Sequence, residues 1–212
     1  MSDTNHRYFV LNKPYNMVSQ FISTHQVGLL GDLDFTFPQG THAIGRLDNR
    51  SEGLLLLTTN KKVTRLLFSS GTPHNRVYLV QVNNVLGSEN LSLLQTGVTI
   101  KIKGGEKYTT PSCEVAIVPH PETLYNTSTT LKQYGPDTWL LISLTEGKFH
   151  QVRKMMAAVK HRCKRLIRLS IENVKLDGLK PGEVREMNEI DFFKLLNIGV
   201  PSLSSELKDY CI

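Results

Sequence analysis

The sequence predicts an α+β fold, a mainly antiparallel central sheet with flanking helices and a cleft between two subdomains. Three observations carry that prediction. Extended segments outnumber helical ones and follow one another through short connections, which favours antiparallel neighbours over βαβ crossovers. The segment Val77-Tyr78-Leu79-Val80-Gln81-Val82 alternates cleanly, with Tyr78, Val80 and Val82 on one face. One clearly amphipathic helix over 149–160 supplies a cover for such a sheet. At 212 residues the chain is long enough for two small subdomains around a proper core, read here as one domain over 1–190 and a tail over 191–212.

Residues 8–11 read as a short strand ended at Asn12-Lys13-Pro14, where proline has no N–H to give a ladder. Residues 16–21 resume extended structure, and 28–41, rich in glycine, aspartate and proline, form a connection packed by Leu33, Phe35 and Phe37. Residues 54–57, four leucines in a row, make a strand buried on both faces. Thr59 or Asn60 caps a helix running to about Phe68, with Val63, Leu66 and Leu67 as its apolar stripe. Beyond the strand at 77–82 come a helix near 88–95 and strands over 98–103 and 112–118. Three prolines and a polar composition mark 119–136 as a long surface insertion, and a strand over 139–144 follows. In the 149–160 helix Phe149, Val152, Met155, Met156 and Val159 form the apolar stripe, with Arg153 at its border and His150 and Lys154 on the polar face. A border arginine can send its guanidinium into a crevice while its stem stays packed. A strand over 165–171, a turn at Lys180-Pro181-Gly182 and a tail holding Phe192, Phe193, Leu195 and Leu196 complete the chain.

Composition excludes several function classes. Hydrophobic content of 40% with 21% charged residues describes an ordinary globular protein. The leucine run is far too short to cross a bilayer. The N-terminus Met1-Ser2-Asp3-Thr4-Asn5-His6-Arg7 has no apolar signal core, so a cytoplasmic protein is expected. Cys113, Cys163 and Cys211 are isolated, and the seven histidines show no ligand spacing, which argues against a metal site and for reduced thiols. The formal net charge of +6 points to a polyanionic partner, and its distribution points there more strongly. Lys148, Arg153, Lys154, Lys160, Arg162, Lys164, Arg165 and Arg168 crowd one stretch against the single acid Glu146.

Asp48 is the candidate around which chemistry can be arranged. It lies in a loop that leads directly into the apolar strand, with Arg46 and Arg50 two residues to either side. Neither a second carboxylate at fixed spacing nor a Ser/His or Cys/His pair competes for the role. A carboxylate at the lip of a core loses hydration and takes up a proton unless it is paired. A bidentate arginine matches its two oxygens, and Arg153 is the candidate partner. An ionised, desolvated aspartate serves either as nucleophile or as general base, and both roles are open to it.

The motif Gly45-Arg46-Leu47-Asp48, continuing through Gly53-Leu54-Leu55-Leu56-Leu57-Thr58, resembles that of the ribosomal pseudouridine synthases. So do the flanking Leu11-Asn12-Lys13-Pro14, the strand at 77–82, Glu146-Gly147-Lys148-Phe149-His150-Gln151-Val152-Arg153-Lys154-Met155, and Leu179-Lys180-Pro181-Gly182-Glu183-Val184-Arg185. The matches stand in family order and span nearly the whole chain. The resemblance implies the pseudouridine synthase fold, with 1–190 as its catalytic domain, and isomerisation of a uridine in RNA without metal, cofactor or energy source. It implies Asp48 at the ribose end of the glycosidic bond, attacking C1′ or removing the C2′ proton. Tyr78 would stack on the target base, Arg153 would hold Asp48 ionised, and Arg46 would help displace the uridine and fill its gap. Arg50, Lys148, His150, Gln151 and Lys154 are the further candidates for RNA contact.

The motif Leu11-Asn12-Lys13-Pro14 begins almost at the N-terminus, so the extra RNA-binding module of many relatives is expected to be absent. Together with the 119–136 insertion, this is similar to the large-subunit pseudouridine synthases of the E type, which act on 23S ribosomal RNA. A monomer is expected. The rival readings are a non-catalytic RNA-binding assembly factor of the same fold, and an enzyme acting on 16S or transfer RNA. Two departures stand out: Tyr15-Asn16-Met17 replaces the usual Lys-Gly-Val, and Lys160 stands where a glycine usually ends the arginine helix. Lysine there implies that the helix runs on or that its turn differs.

Overall fold

Seven consecutive buried residues form the axis of the molecule. The strand β3 (Glu52–Thr58) carries Leu54, Leu55, Leu56 and Leu57 with no exposed surface, so both its faces are covered. Burying each leucine is worth roughly 1.5–3 kcal/mol. The strand is hemmed by β1 (Tyr8–Lys13) and the short β2 (His42–Ile44), both antiparallel to it. The computed structural model describes residues 6–69, 71–125 and 136–198 of the chain.

The helix α1 (Lys62–Ser69) follows β3, and Asn60 caps it as the sequence predicts, its Oδ1 accepting the Lys62 N–H at 3.1 Å. Next come β4 (Arg76–Asn83), α2 (Ser88–Thr96), the small hairpin β5 (Thr99–Lys101) and β6 (Lys107–Thr109), and β7 (Glu114–Ile117). After the second gap lie β8 (Asp137–Leu144), α3 (Gln151–Ala158), β9 (Cys163–Ile171), β10 (Val174–Lys175), β11 (Val184–Met187) and α4 (Glu189–Leu195).

Nine of the described strands form one sheet in the order β11-β1-β3-β9-β4-β8-β7, with β2 and β10 attached to β3 and β9. Its ladders are antiparallel except the short β3–β9 pairing, which joins two halves of the sheet side by side. At that junction Gly53 (φ +95°) has no room for a side chain, since a Cβ would stand 2.3 Å from the Arg168 carbonyl oxygen. Two large clusters make most of the core. One joins Tyr8, Leu54, Leu56, Val63, Leu67, Ile167 and Phe192, the other Val80, Leu94, Leu140, Ile142, Val152, Met155 and Met156.

Three expectations change. Residues 16–21 make no strand, only an isolated bridge from Met17 to Gly28. The extended segment at 98–103 is cut to a three-residue strand that turns back on β6, because Gly104 and Gly105 both take positive φ. The tail begins with a docked helix rather than loose chain: α4 buries Phe192 against Tyr8 at 4.6 Å between ring centres, so a boundary at 190 cuts through a core element. In the insertion, 126–135 lie outside the described residues, but Tyr125 is buried and its hydroxyl donates to Asn12 Oδ1 at 3.1 Å. Cys113 and Cys163 are half-buried free thiols, and burial pushes the pKa of Cys163 up to about 11. Among the described residues no helix is long and apolar enough to cross a membrane.

The helix α3 closes more sharply than Lys160 implies. Lys160 itself takes the left-handed turn (φ +62°), with its N–H on Ala157 O at 3.1 Å and the His161 N–H on Met156 O at 2.9 Å. This is the double-bonded helix ending usually built on glycine, here carried by lysine at the cost of some backbone strain.

Candidate active site

A cleft of about 950 Å³ is lined by residues from both sides of the β3–β9 junction. One wall is the loop Gly45-Arg46-Leu47-Asp48-Asn49 with Phe68 at the end of α1, and the facing wall is the turn from Thr145 to His150 that leads into α3. Tyr78 on β4 and Leu166 and Arg168 on β9 make the floor.

The Asp48 loop is pinned from several sides. Gly45 opens it at φ +71°, where a Cβ would stand 2.9 Å from the Phe68 ring. Ser19 Oγ donates to Leu47 O and accepts the Leu47 N–H, both at 3.0 Å. The Ser51 N–H closes a turn on Asp48 O at 2.9 Å. Beyond the loop, Glu52 meets Arg165 in a buried fork, with Nε to Oε1 at 2.9 Å and Nη2 to Oε2 at 2.7 Å. Arg165 also faces the Tyr125 and Trp139 rings at about 6 Å. The carboxylate thus stands at the mouth of an ordered turn.

Asp48 does not meet Arg153. Its Oδ1 stands 3.4 Å from His150 Nε2, and its side chain keeps 35% of its exposure, so it is wetter than a place at the lip of the core implies. Arg153 Nη2 donates instead to Arg50 O at 2.7 Å and to Ser51 Oγ at 3.3 Å, while Nη1 faces Cys163 Sγ at 3.7 Å. The arginine therefore reaches the right loop but holds its backbone rather than its carboxylate.

The remaining predicted residues divide. Tyr78 is half-buried on the cleft floor, its backbone in register with Ile142 and Arg168. Arg46, Lys148 and His150 line the cleft with exposed side chains, and Arg50 is exposed just beyond it. Lys154 Nζ lies over the Phe149 ring at 5.2 Å. Gln151 is only 4% exposed and is spent internally. Its Nε2 donates to Glu146 Oε1 at 2.6 Å, and its Oε1 accepts the Lys148 N–H at 2.8 Å. Phe149, placed on the apolar stripe by periodicity, lies outside α3 and is 62% exposed, because His150 breaks the spiral at φ +56°.

Three further polar groups stand at the site, none of them given a role by the sequence. Arg168 is buried, with Nε on Leu54 O at 2.8 Å and Nη2 without a partner among the described residues. His74 is buried at the cleft edge, its Nδ1 3.4 Å from Glu172 Oε1. Lys13 is fully buried, its ammonium donating to Met17 O at 2.6 Å and Pro14 O at 2.9 Å. For Arg168 a signal existed: it interrupts the apolar run Leu166-Ile167-Leu169 on the same strand face as Leu166. Lys13 stands in the Leu11-Asn12-Lys13-Pro14 motif, though nothing local foretold its burial, and for His74 the sequence carries no signal, since a local pattern does not report what folds over a residue.

Burial lowers the pKa of Lys13 to about 8, opposed by the nearby charges of Glu52 and Asp48 and reinforced by Arg168. Because the unfolded lysine near 10.5 binds its proton more tightly than the folded one, the unfolded state holds more protons between about pH 8 and 10.5. Stability attributable to Lys13 therefore rises across that window and is lowest below it. Urea titrations at pH 7 and pH 10 check this: the wild type gains relative to Lys13→Met as pH rises, and parallel profiles would contradict the assignment.

Residues 7–158 match the family described as RNA pseudouridylate synthase. The chain is 34% identical over 173 residues to a ribosomal large subunit pseudouridine synthase E of Xanthomonas axonopodis pv. citri, covering 81% of this chain and 89% of that protein. It is 32% identical to a protein of the same name from Vibrio parahaemolyticus, covering 86% of this chain and 74% of the other. A crystal structure of a pseudouridylate synthase superposes with a TM-score of 0.70 at 25% identity, over 90% of this chain and 74% of that one.

Proposed function

Because the chain belongs to the RNA pseudouridylate synthase family, we propose that it isomerises one uridine of 23S ribosomal RNA, with Asp48 as the group that acts on the ribose. The observation that carries the reading is a carboxylate on the wall and a tyrosine on the floor of one basic cleft. The isomerisation breaks the N1–C1′ bond, forms a C5–C1′ bond, releases the C5 hydrogen as a proton and leaves N1 protonated. Asp48 either attacks C1′ or removes the C2′ proton, and both use a carboxylate in its ionised form.

The other residues supply binding and position. Tyr78 stacks on the everted uracil and lies where the C5 proton leaves. Arg46, exposed at the lip, displaces the uridine and fills its gap. Arg153, through Arg50 and Ser51, is the positioning residue of the Asp48 loop. Lys148, His150, Lys154 and Arg50 meet the phosphates, a contribution that weakens steeply with salt. Gln151 acts on RNA only through the turn it braces. The ribosomal large subunit in the relatives' names favours 23S RNA, and we read the protein as a cytoplasmic monomer that needs no cofactor.

Mapping pseudouridines in 23S, 16S and transfer RNA from cells with and without the gene tests the substrate. A single lost 23S position is expected. A loss confined to 16S or transfer RNA would move the substrate, and no loss anywhere would favour the non-catalytic assembly factor.

A further inference from the structure

The turn between β8 and α3 contains an aromatic that the fold does not use. Phe149 is 62% exposed at the cleft wall. Its ring stacks on His150 at 3.8 Å between centres and 19° between planes, and His150 Nε2 in turn stands 3.4 Å from Asp48 Oδ1. A phenylalanine this open contributes little to a core, and nothing in its packing explains it.

The turn is rigid. Gln151 bridges Glu146 Oε1 and the Lys148 N–H at 2.6 and 2.8 Å. The Tyr108 hydroxyl donates to Glu146 Oε2 at 2.5 Å from the neighbouring hairpin, and Lys148 Nζ lies 4.9 Å from the Tyr108 ring centre. His150 is held at φ +56°, a conformation a non-glycine residue keeps only where its surroundings impose it. That backbone places the Phe149 and His150 rings side by side rather than on opposite sides of a helix start. An aromatic surface ordered before binding gains affinity because less freedom is lost on contact.

Charge around the ring identifies the occupant. Lys154 Nζ stands 5.2 Å from the Phe149 ring centre, and Lys148 is the preceding exposed cation. An aromatic ring with an ammonium group beside it suits an unpaired nucleobase whose backbone phosphate lies alongside. From this arrangement we infer that Phe149 is a stacking platform for an unpaired base next to the target uridine, with Lys154 swinging from the ring to that base's phosphate. The inference rests on the RNA-modifying reading above and adds a residue that positions the strand rather than the reacting nucleotide.

The test compares wild type, Phe149→Ala, Phe149→Tyr and Lys154→Ala in tritium release from ribosomal RNA transcripts labelled at C5 of uridine, at several salt concentrations. Phe149→Ala lowers kcat/KM roughly 5- to 150-fold, the worth of one base on one ring, and raises KM more than it lowers kcat. Its salt dependence parallels the wild type, whereas Lys154→Ala flattens the slope by about one phosphate contact. Phe149→Tyr restores activity, since it keeps the ring face, and the melting temperature of Phe149→Ala stays that of the wild type. Undiminished activity in Phe149→Ala overturns the platform, as does a loss that tyrosine fails to restore or one accompanied by a flattened salt slope. A wild type that releases no tritium from ribosomal or transfer RNA overturns the RNA-modifying reading itself, and the platform with it.

Discussion

Asp48→Asn stops tritium release from C5-labelled ribosomal RNA, with kcat falling about 10⁴-fold or more, while RNA affinity stays within a few-fold of the wild type. Asparagine keeps the shape of the side chain at the cleft wall and can still meet His150 at the observed separation. It supplies neither a nucleophilic oxyanion for C1′ nor a base for the C2′ proton. Binding survives because it rests on the exposed cations Arg46, Arg50 and Lys148 and on the half-buried Lys154, and losing a negative charge from a cleft that admits RNA does not weaken it. Filter binding in parallel with the release assay separates the two effects. Arg153→Met in the same assay gives an intermediate result, with kcat down roughly 10- to 100-fold and KM little changed. It frees the Arg50 carbonyl and the Ser51 hydroxyl without touching RNA, and a small misplacement of a reacting group is costly. An Asp48→Asn protein that still turns over, or an Arg153→Met protein that loses only affinity, would remove these residues from their proposed roles.

Arg165→Met destabilises the protein by about 3–5 kcal/mol, the range for removing one partner of a buried ion pair. Glu52 and Arg165 are both buried and meet through two hydrogen bonds, so methionine strands a carboxylate at the first residue of β3. For a chain of this size the melting temperature falls by roughly 6–20 °C. The double replacement Glu52→Leu with Arg165→Met recovers most of the loss, because two apolar side chains leave no buried charge uncompensated. Urea denaturation of the wild type, both single variants and the double variant completes the cycle. Costs that simply add would show that the fork contributes no coupling. Glu52 lies four residues beyond Asp48, so the single variants also lose activity below their melting temperatures, as the loop that β3 anchors becomes loose.

Much of the fold was legible because it is written in local periodicity. The alternation at 77–82 and the leucines at 54–57 are β4 and β3, and the asparagine at 60 caps α1. The stripe of Val152, Met155, Met156 and Val159 is buried along α3 and its C-cap. The misreadings share one cause: periodicity continues past the point where the backbone changes direction. Phe149 fits the helical spacing, yet the left-handed His150 turns it outward. The 98–103 segment reads as one strand, yet two glycines fold it into a hairpin. Phe192 and Phe193 read as a tail, though they form an apolar pair that Tyr8, more than 180 residues away in sequence, is placed to receive.

By itself the sequence determined which residues have chemistry to offer. A loop aspartate between two arginines, a tyrosine on an alternating strand and a basic stretch ahead of the last long strand are all properties of neighbours in the chain. Which of these groups meet was decided only by the tertiary structure. The Asp48 loop and the start of α3 lie about a hundred residues apart and are brought together by the β3–β9 and β9–β4–β8 ladders. That geometry gives His150 to the carboxylate, Arg153 to the loop backbone and Gln151 to the turn, and it leaves Phe149 open to the cleft. A side chain's chemistry is local to its residue, but its partner depends on distance through space, which the order of residues along the chain does not state.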